Sequence, residues 1–252
     1  RRFHHVTVDA MGSTYNPLAG LTADEAADAL YETLFAADKS LNMHYATLSR
    51  RLLQQACRVC IDLADARVAR VGGGTWTIGL ADVAELLSIN TLRSVKPFVS
   101  PSVAASLTQY LDDLDASKNE GDVGDVRDRV AVIVDTTAGD ILDATGFTME
   151  SAIRAGDIVC FSLDAAGAPQ TARTIGTLAI QDLCATFGRL ARDGWGKTHM
   201  CLTVLDEFSA LGTPRVADLY ALARSAGGAF LLATQDLDAD LEAVSPQFAA
   251  SV

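Results

Sequence analysis

The 252-residue chain carries a net charge of −12 and is 49% hydrophobic, so it can bury one large core or two modest ones. The negative net charge excludes a protein that coats nucleic acid over its whole surface. A motor that contacts nucleic acid through a local basic surface is still compatible with this charge. No apolar run approaches the ~20 residues of a membrane-spanning helix, and no secretory signal is visible. The five cysteines are unevenly spread, which indicates reduced thiols in a cytoplasmic protein.

The first elements predicted along the chain are a strand, a polar loop and a helix. The strand covers residues 3–8 and ends at Asp9. Thr22 and Glu25 have the spacing of a capping box, in which each side chain bonds the other residue's backbone N–H. The helix is therefore expected to begin at Thr22 and to run to about residue 37.

Residues 39–147 show helical patterns and no convincing strand. Residues 41–71 are expected to form one long helix that ends at three consecutive glycines. Shorter helices are predicted over 80–88, 102–116 and 123–142. A purely helical stretch inside an α/β chain predicts an inserted all-α domain.

The long helix over 41–71 also contains two smaller patterns. It is basic, with Arg50, Arg51, Arg58, Arg67 and Arg70 against two aspartates. Such a helix usually presents a solvated face, and contact with DNA or a protein cargo is the alternative. Cys57 and Cys60 have no second pair of ligands nearby, so we interpret them as small apolar residues rather than as a zinc site.

Three apolar runs in the last third of the chain predict strands of a parallel sheet that are buried on both faces. They cover residues 157–163, 201–206 and 228–234. Helices are predicted between them over 170–192 and 214–225, so each strand is expected to run parallel to the next one. The predicted fold class is therefore α/β, with a mainly parallel sheet.

Asp206 and Glu207 directly follow the second of these strands, and Gln235 follows the third. Ligands of open α/β sheets bind outside the carboxyl ends of strands. An acidic pair at this place matches a Walker B strand, where the first acid holds nucleotide-bound Mg²⁺ and the second activates water. Gln235 could position that water or sense the γ-phosphate. The alternatives are a solvated Asp-Glu pair and a satisfied polar residue at a strand end.

The strings LDEFSALG, LYALARSAGG and LLATQDL, at 205–212, 219–228 and 231–237, resemble the motor core of type IV secretion coupling proteins. These are the TraD/TraG-type ATPases of conjugation, within the FtsK/HerA group. The resemblance is good over 148–245 and weaker over 3–37, where Asn16-Pro17-Leu18 is similar to a family segment. It implies a RecA-like P-loop NTPase core made of residues 1–38 and 148–252, with an all-α domain inserted at 39–147.

The resemblance also implies roles for single residues. Asp206 would bind the Mg²⁺ of bound ATP, and Glu207 and Gln235 would be catalytic. Arg224 would reach the nucleotide of a neighbouring subunit, which requires an oligomer, and the family implies a hexameric ring. The alternative for Arg224 is a partner of the helix dipole at a helix C-terminus.

A phosphate-binding loop is the missing part of such a site. It needs a glycine-rich turn ending in Gly-Lys-Ser/Thr between a strand and a helix. Gly72 to Thr75 lacks the lysine, and Gly194 to Thr198 precedes a strand instead of following one. The family places this loop upstream of a segment like 3–9. We therefore expect the chain alone neither to hydrolyse ATP nor to bind it tightly.

The intact protein is expected to couple ATP hydrolysis to the transfer of DNA, or of a DNA-protein substrate, into a type IV secretion channel. By resemblance, the all-α domain would receive relaxase-type or effector cargo. The protein would lie at the inner face of the cell membrane, held by an anchor outside this chain. One alternative is an FtsK-like double-stranded DNA translocase. Another is a non-catalytic cargo-docking module in which the Asp-Glu pair is idle.

Overall fold

The computed structural model describes residues 1–35, 42–71, 77–117, 124–207 and 215–233. They form two compact units, one of residues 14–146 and one of residues 1–13 together with the chain from 147 onward. The boundary expected at residue 38 differs from this division, because the helix after Thr22 packs along the long helix that follows it. Of the segment 1–38, only residues 1–13, which contain the first strand, belong to the unit that includes the chain from 147 onward.

The described elements of the 14–146 unit are helices. They are α1 (Ala23–Phe35), α2 (Met43–Val71), α3 (Leu80–Glu85), α4 (Ile89–Val95), α5 (Pro101–Ser117), α6 (Gly124–Val134) and α7 (Thr137–Ile141). The predicted capping box is present: the Thr22 N–H donates to Glu25 Oε2 at 2.9 Å, and the Glu25 N–H donates to Thr22 Oγ1 at 3.3 Å. The helix expected over 123–142 is two helices, α6 and α7, because the chain turns at Thr136.

Asn16 ties together three segments of the helical unit. Its side chain is 1% exposed, and its Nδ2 donates to the carbonyl oxygens of Ile78 at 2.9 Å and of Ala144 at 3.0 Å. The Leu18 N–H donates back to Asn16 Oδ1 at 3.1 Å. The amide thereby satisfies buried backbone groups from segments more than sixty residues apart, which explains an asparagine in the core.

The other unit contains two parallel strand pairs. β1 (Phe3–Thr7) pairs with β2 (Ile158–Ser162), and β3 (Cys201–Asp206) pairs with β4 (Gly228–Ala233). Its helices are α8 (Met149–Ala155), α9 (Pro169–Arg192) and α10 (Arg215–Ala223), and single 3₁₀ turns cover Trp195–Lys197 and Arg224–Ala226. The predicted unit of two parallel strands joined by a helix is confirmed for β3 and β4, which α10 connects. Among the described residues, β2 and β3 belong to separate two-stranded sheets and do not pair.

Helices α9 and α10 cover one face of the β3–β4 pair. α10 buries Val216, Leu219 and Ala223, which recur at the three- and four-residue spacing of a helix face. Phe187 of α9 meets Phe230 of β4 edge to face, with ring centroids 6.1 Å apart. These contacts fix the strand pair on a buried helical layer.

The prediction that the strands are buried on both faces is wrong for the described part of the chain. Leu202 is 66% exposed, Val204 54% and Leu231 56%. Successive side chains of a strand point to opposite faces, and those on the face away from α9 and α10 meet no described element. A continuous apolar run is typical of a strand that is packed on both faces. Among the described residues, the helices that pack on this strand pair are α9 and α10, and they lie on one face.

None of the described helices is long and apolar enough to cross a lipid bilayer. All five cysteines are free thiols.

Candidate functional site

The candidate site lies at the carboxyl ends of β3 and β4. Asp206 is the last residue of β3 and pairs in register with Ala233, the last residue of β4. Asp206 and Glu207 are both exposed. Their oxygens are the ligand type that Mg²⁺ prefers, and a nucleotide-bound Mg²⁺ needs only one or two protein carboxylates because phosphates and water complete its shell. The pair therefore lies exposed at the carboxyl end of a parallel strand pair, where ligands of α/β sheets bind.

The backbone at Glu207 has an unusual conformation. Its φ is +50°, in the left-handed region that few non-glycine residues adopt. The Glu207 N–H nevertheless donates to the carbonyl of Ala233 at 3.0 Å, so the ladder between the strands continues to this residue. Such conformations cost about 1–3 kcal/mol and cluster at functional sites. The extended conformation of β3 therefore ends at the second of the two carboxylates.

The carboxylates that follow β1 and β2 are used by local turns. Asp9 accepts from the Thr7 hydroxyl at 2.6 Å and from the Met11 N–H at 3.1 Å, and these bonds lower the pKa of Asp9. Asp164 accepts from the backbone N–H groups of Ala166 and Gly167 at 3.0 and 2.8 Å. Their lone pairs are thus partly occupied, whereas no N–H or hydroxyl group of the described residues donates to the side chain of Asp206.

Arg224 lies at the other end of the strand pair. It begins the 3₁₀ turn that leads into β4, and Gly228 pairs in register with Cys201, the first residue of β3. Five residue steps of about 3.3 Å separate that end from Asp206, or about 16 Å. The structure therefore does not bring Arg224 to the carboxylates of its own chain. Gln235 lies outside the described residues.

Of the two glycine-rich segments, the structure describes Gly194 to Thr198, and this one does not have the geometry of a phosphate-binding loop. Gly194 has a φ of +70° and caps α9, and Trp195–Lys197 form a 3₁₀ turn that runs into β3. This is the order helix, turn, strand, the reverse of a P-loop. Gly72 to Thr75 lies outside the described residues.

The basic helix α2 has carboxylate partners within its own unit. Arg58 and Asp24 approach to 3.6 Å, and Arg51 and Asp113 to 2.9 Å. Arg50 lies 3.5 Å from Asp28 and stacks over a tyrosine ring of α1. Exposed pairs like these add little stability, but they neutralise the arginines, which favours the solvated-face interpretation over a nucleic-acid surface.

The thiols of Cys57 and Cys60 are buried and poorly ionised. Burial raises the pKa of Cys57 well above its ordinary range and that of Cys60 to about 12. Both thiols therefore stay protonated at neutral pH, whereas metal ligation needs the thiolate. In the part of the chain that the structure describes, no cluster of three or more His, Cys, Asp or Glu could hold a metal ion.

Solved structures with this fold are conjugative coupling proteins. The plasmid coupling protein TrwB in complex with ADP and Mg²⁺ superimposes with a TM-score of 0.59 at 14% sequence identity, over 98% of this chain. The unbound monoclinic form of TrwBdeltaN70 gives 0.56 at 12% identity over 99% of the chain, and the complex of TrwB with a non-hydrolysable GTP analogue gives 0.53 at 13%. The resemblance found in the sequence is confirmed at the level of the fold.

The match covers 56% of the TrwB chain in each of these three structures, so this chain spans little more than half of their length. Comparison with models of protein families finds no match, and neither does comparison with curated protein sequences.

Proposed function

We propose that this chain is part of a ring ATPase that couples ATP hydrolysis to the transfer of DNA or a DNA-protein substrate into a type IV secretion or conjugation channel. The observation that carries the proposal is the Asp206–Glu207 pair at the carboxyl end of β3, in a chain that shares the coupling-protein fold along 98–99% of its length. The two TrwB complexes with ADP–Mg²⁺ and a GTP analogue support nucleotide and Mg²⁺ as the ligands.

In the proposed mechanism the carboxylates of Asp206 and Glu207 have different roles. Asp206 would hold a nucleotide-bound Mg²⁺, which would supply charge stabilisation, and Glu207 would accept a proton from the attacking water. The positive φ of Glu207 supports this division, because Asp206 is the last residue of the extended strand and Glu207 already has a different backbone conformation. Gln235, after β4, positions the water.

The proposed role of Arg224 is on a neighbouring subunit. The side chain is exposed, and Arg224 lies at the opposite end of the strand pair from Asp206, which supports action on a neighbour's nucleotide rather than on that of its own chain. An arginine supplied by a neighbour stabilises the charge on the transferred phosphoryl group and is worth 10³–10⁵-fold or so in rate. A hexameric ring would place it there.

The partners and location of the intact protein are part of the same proposal. Cargo of the relaxase or effector type is taken by the helical unit, and DNA by the assembled ring at the inner face of the cell membrane. The arginines of α2 already have carboxylate partners within the unit, so we do not propose them as the residues that contact cargo or DNA.

The test is DNA-stimulated ATPase activity of the chain together with the sequence its gene encodes on either side. We expect Glu207→Gln to bind nucleotide and to lose on the order of 10²–10⁴ in turnover, the usual contribution of a general base. Glu85→Gln is the matched control, since Glu85 is exposed on α3 and lies in the other unit.

Two results would contradict the proposal. Full turnover by Glu207→Gln would remove the assigned role of Glu207. Failure of the wild-type protein to bind or hydrolyse nucleotide, together with binding of cargo by the helical unit, would favour the docking module instead.

A further inference from the structure

Two glycines hold the two 3₁₀ turns of the second unit in backbone contact. A Cβ built on Gly196 would lie 2.3 Å from the Gly227 nitrogen and 2.4 Å from the Ala226 carbonyl carbon. A Cβ on Gly227 would lie 2.7 Å from the Gly196 Cα. Because real Cβ atoms essentially never approach so closely, only glycine fits at these contacts. The Cys201 N–H, which donates to the Gly227 carbonyl at 3.0 Å, fixes the same junction to the start of β3.

Each of these turns carries an exposed cation. Lys197 ends the first turn and Arg224 begins the second, and both are exposed. The stem of Lys197 folds back over Gly194: its Cδ, Cε and Nζ lie 3.7–3.8 Å from where a Cβ of that glycine would be. The ammonium group thus lies close to its own turn, which contacts the turn that begins at Arg224 through Gly196 and Gly227.

Neither cation has a carboxylate within ion-pair distance in the part of the chain that is described. This contrasts with Arg50, Arg51 and Arg58 of the helical unit, each of which lies 2.9–3.6 Å from a carboxylate of its own unit. In a chain of net charge −12, carboxylates for such pairs are plentiful. Two cations on contacting turns, with no carboxylate partner among the described residues, form a site suited to an external anion.

We propose that Lys197 and Arg224 act together as one two-cation site for the phosphate groups of a nucleotide bound to a second copy of the chain. The inference rests on the proposed function, because Arg224 is assigned there to a neighbour's nucleotide. The new element is Lys197, because the Gly196–Gly227 contact brings its turn against the turn that begins at Arg224. A lysine contributes a compact point charge, whereas the arginine fork can bond two phosphate oxygens at once.

The experiment mixes variants in the protein with its flanking sequence. Lys197→Met keeps the aliphatic stem over Gly194 and removes only the charge, so the turn should survive. Turnover at saturating ATP is expected to fall on the order of 10²-fold, as for the loss of one charge-stabilising group, with little change in KM. Lys197→Arg should restore most of it, and Lys96→Met, on the other unit, is the control.

Mixing decides whether the site acts in trans. Lys197→Met subunits retain Glu207, and Glu207→Gln subunits retain Lys197, so a mixed ring contains complete sites that neither variant has alone. We expect the mixture to be more active than the sum of the two separate preparations. Absence of this gain, or full turnover by Lys197→Met alone, would overturn the inference.

The parallel experiment with Arg224→Ala separates the two proposals. If Arg224→Ala loses turnover and is rescued in the mixture while Lys197→Met is not, the role of Lys197 fails and the proposed function stands. If Glu207→Gln itself retains full turnover, the proposed function fails, and the two-cation site that rests on it fails with it.

Discussion

Asn16 offers a sharp test of how the helical unit is held together. Asn16→Ala removes the donor to the Ile78 carbonyl and the acceptor for the Leu18 N–H, both in buried surroundings. The Ala144 carbonyl loses one of two donors, since the Thr77 hydroxyl also donates to it at 2.7 Å. Two unsatisfied buried groups at ~1–1.5 kcal/mol each, and a smaller loss at the third, give a free-energy cost of about 3 kcal/mol.

The assay is urea unfolding of the whole chain followed by far-UV circular dichroism, with hydrogen exchange to locate the loosened segments. Asn16→Asp should cost at least as much as Asn16→Ala, because its carboxylate cannot donate to the carbonyls of Ile78 and Ala144 and carries a charge into a buried place. Faster exchange is expected around residues 15–18, 77–80 and 144.

Asn90→Ala is the matched control, since Asn90 is exposed on α4 and should stay within about 0.5 kcal/mol of the wild-type chain. A free energy of unfolding for Asn16→Ala within that same margin would refute the reasoning, because three segments held by one amide should not separate without cost.

Two further stability predictions follow from close contacts and charge. Gly196→Ala should destabilise the second unit by about 1–3 kcal/mol in urea unfolding, because the new methyl overlaps the backbone of Gly227; Gly124→Ala, with nothing within 4 Å of the new Cβ, should show no such loss. Burial raises the pKa of Glu150, but hydrogen bonds from Arg189 at 2.6 Å and Arg154 at 2.8 Å outweigh it, so the pKa is lowered overall. The resulting stability is present above the ordinary value of about 4.3 and is lost as the pH falls below it. Glu150→Gln should therefore be less stable than wild type near pH 7 in thermal melts, with the difference closing below about pH 4; a difference that does not depend on pH would refute this origin.

The helices were the most predictable part of the structure, because their signals are local. The capping box at Thr22 and the spacing of Val216, Leu219 and Ala223 each depend on residues within two turns of one another. The short helices α4 and α8 were missed. For α8 a signal did exist, since the Thr148 hydroxyl accepts from the Ser151 N–H three residues later, but the helix is only seven residues long.

The exposed face of β3 and β4 could not be predicted, because an apolar run does not show how many layers cover a strand. Leu202 and Val204 are the same kind of residue as Leu205, and only the position of α9 and α10 decides which of them is covered. The roles of buried polar residues were equally hidden: Asn16 was noted as part of a motif, while its partners Ile78 and Ala144 lie far away in sequence.

The position of Arg224 shows most clearly what register adds to sequence spacing. The sequence places this arginine between Asp206 and Gln235, and spacing alone does not separate it from their edge of the sheet. The parallel register Cys201↔Gly228 instead puts Arg224 at the amino ends of both strands, away from the carboxylates. A chain that used all of these residues on one nucleotide would have to bring its two sheet edges together, which a single copy does not do. Two copies can bring these edges together if the edge with Lys197 and Arg224 in one copy faces the edge with Asp206 in the next. The mixing experiment tests that arrangement.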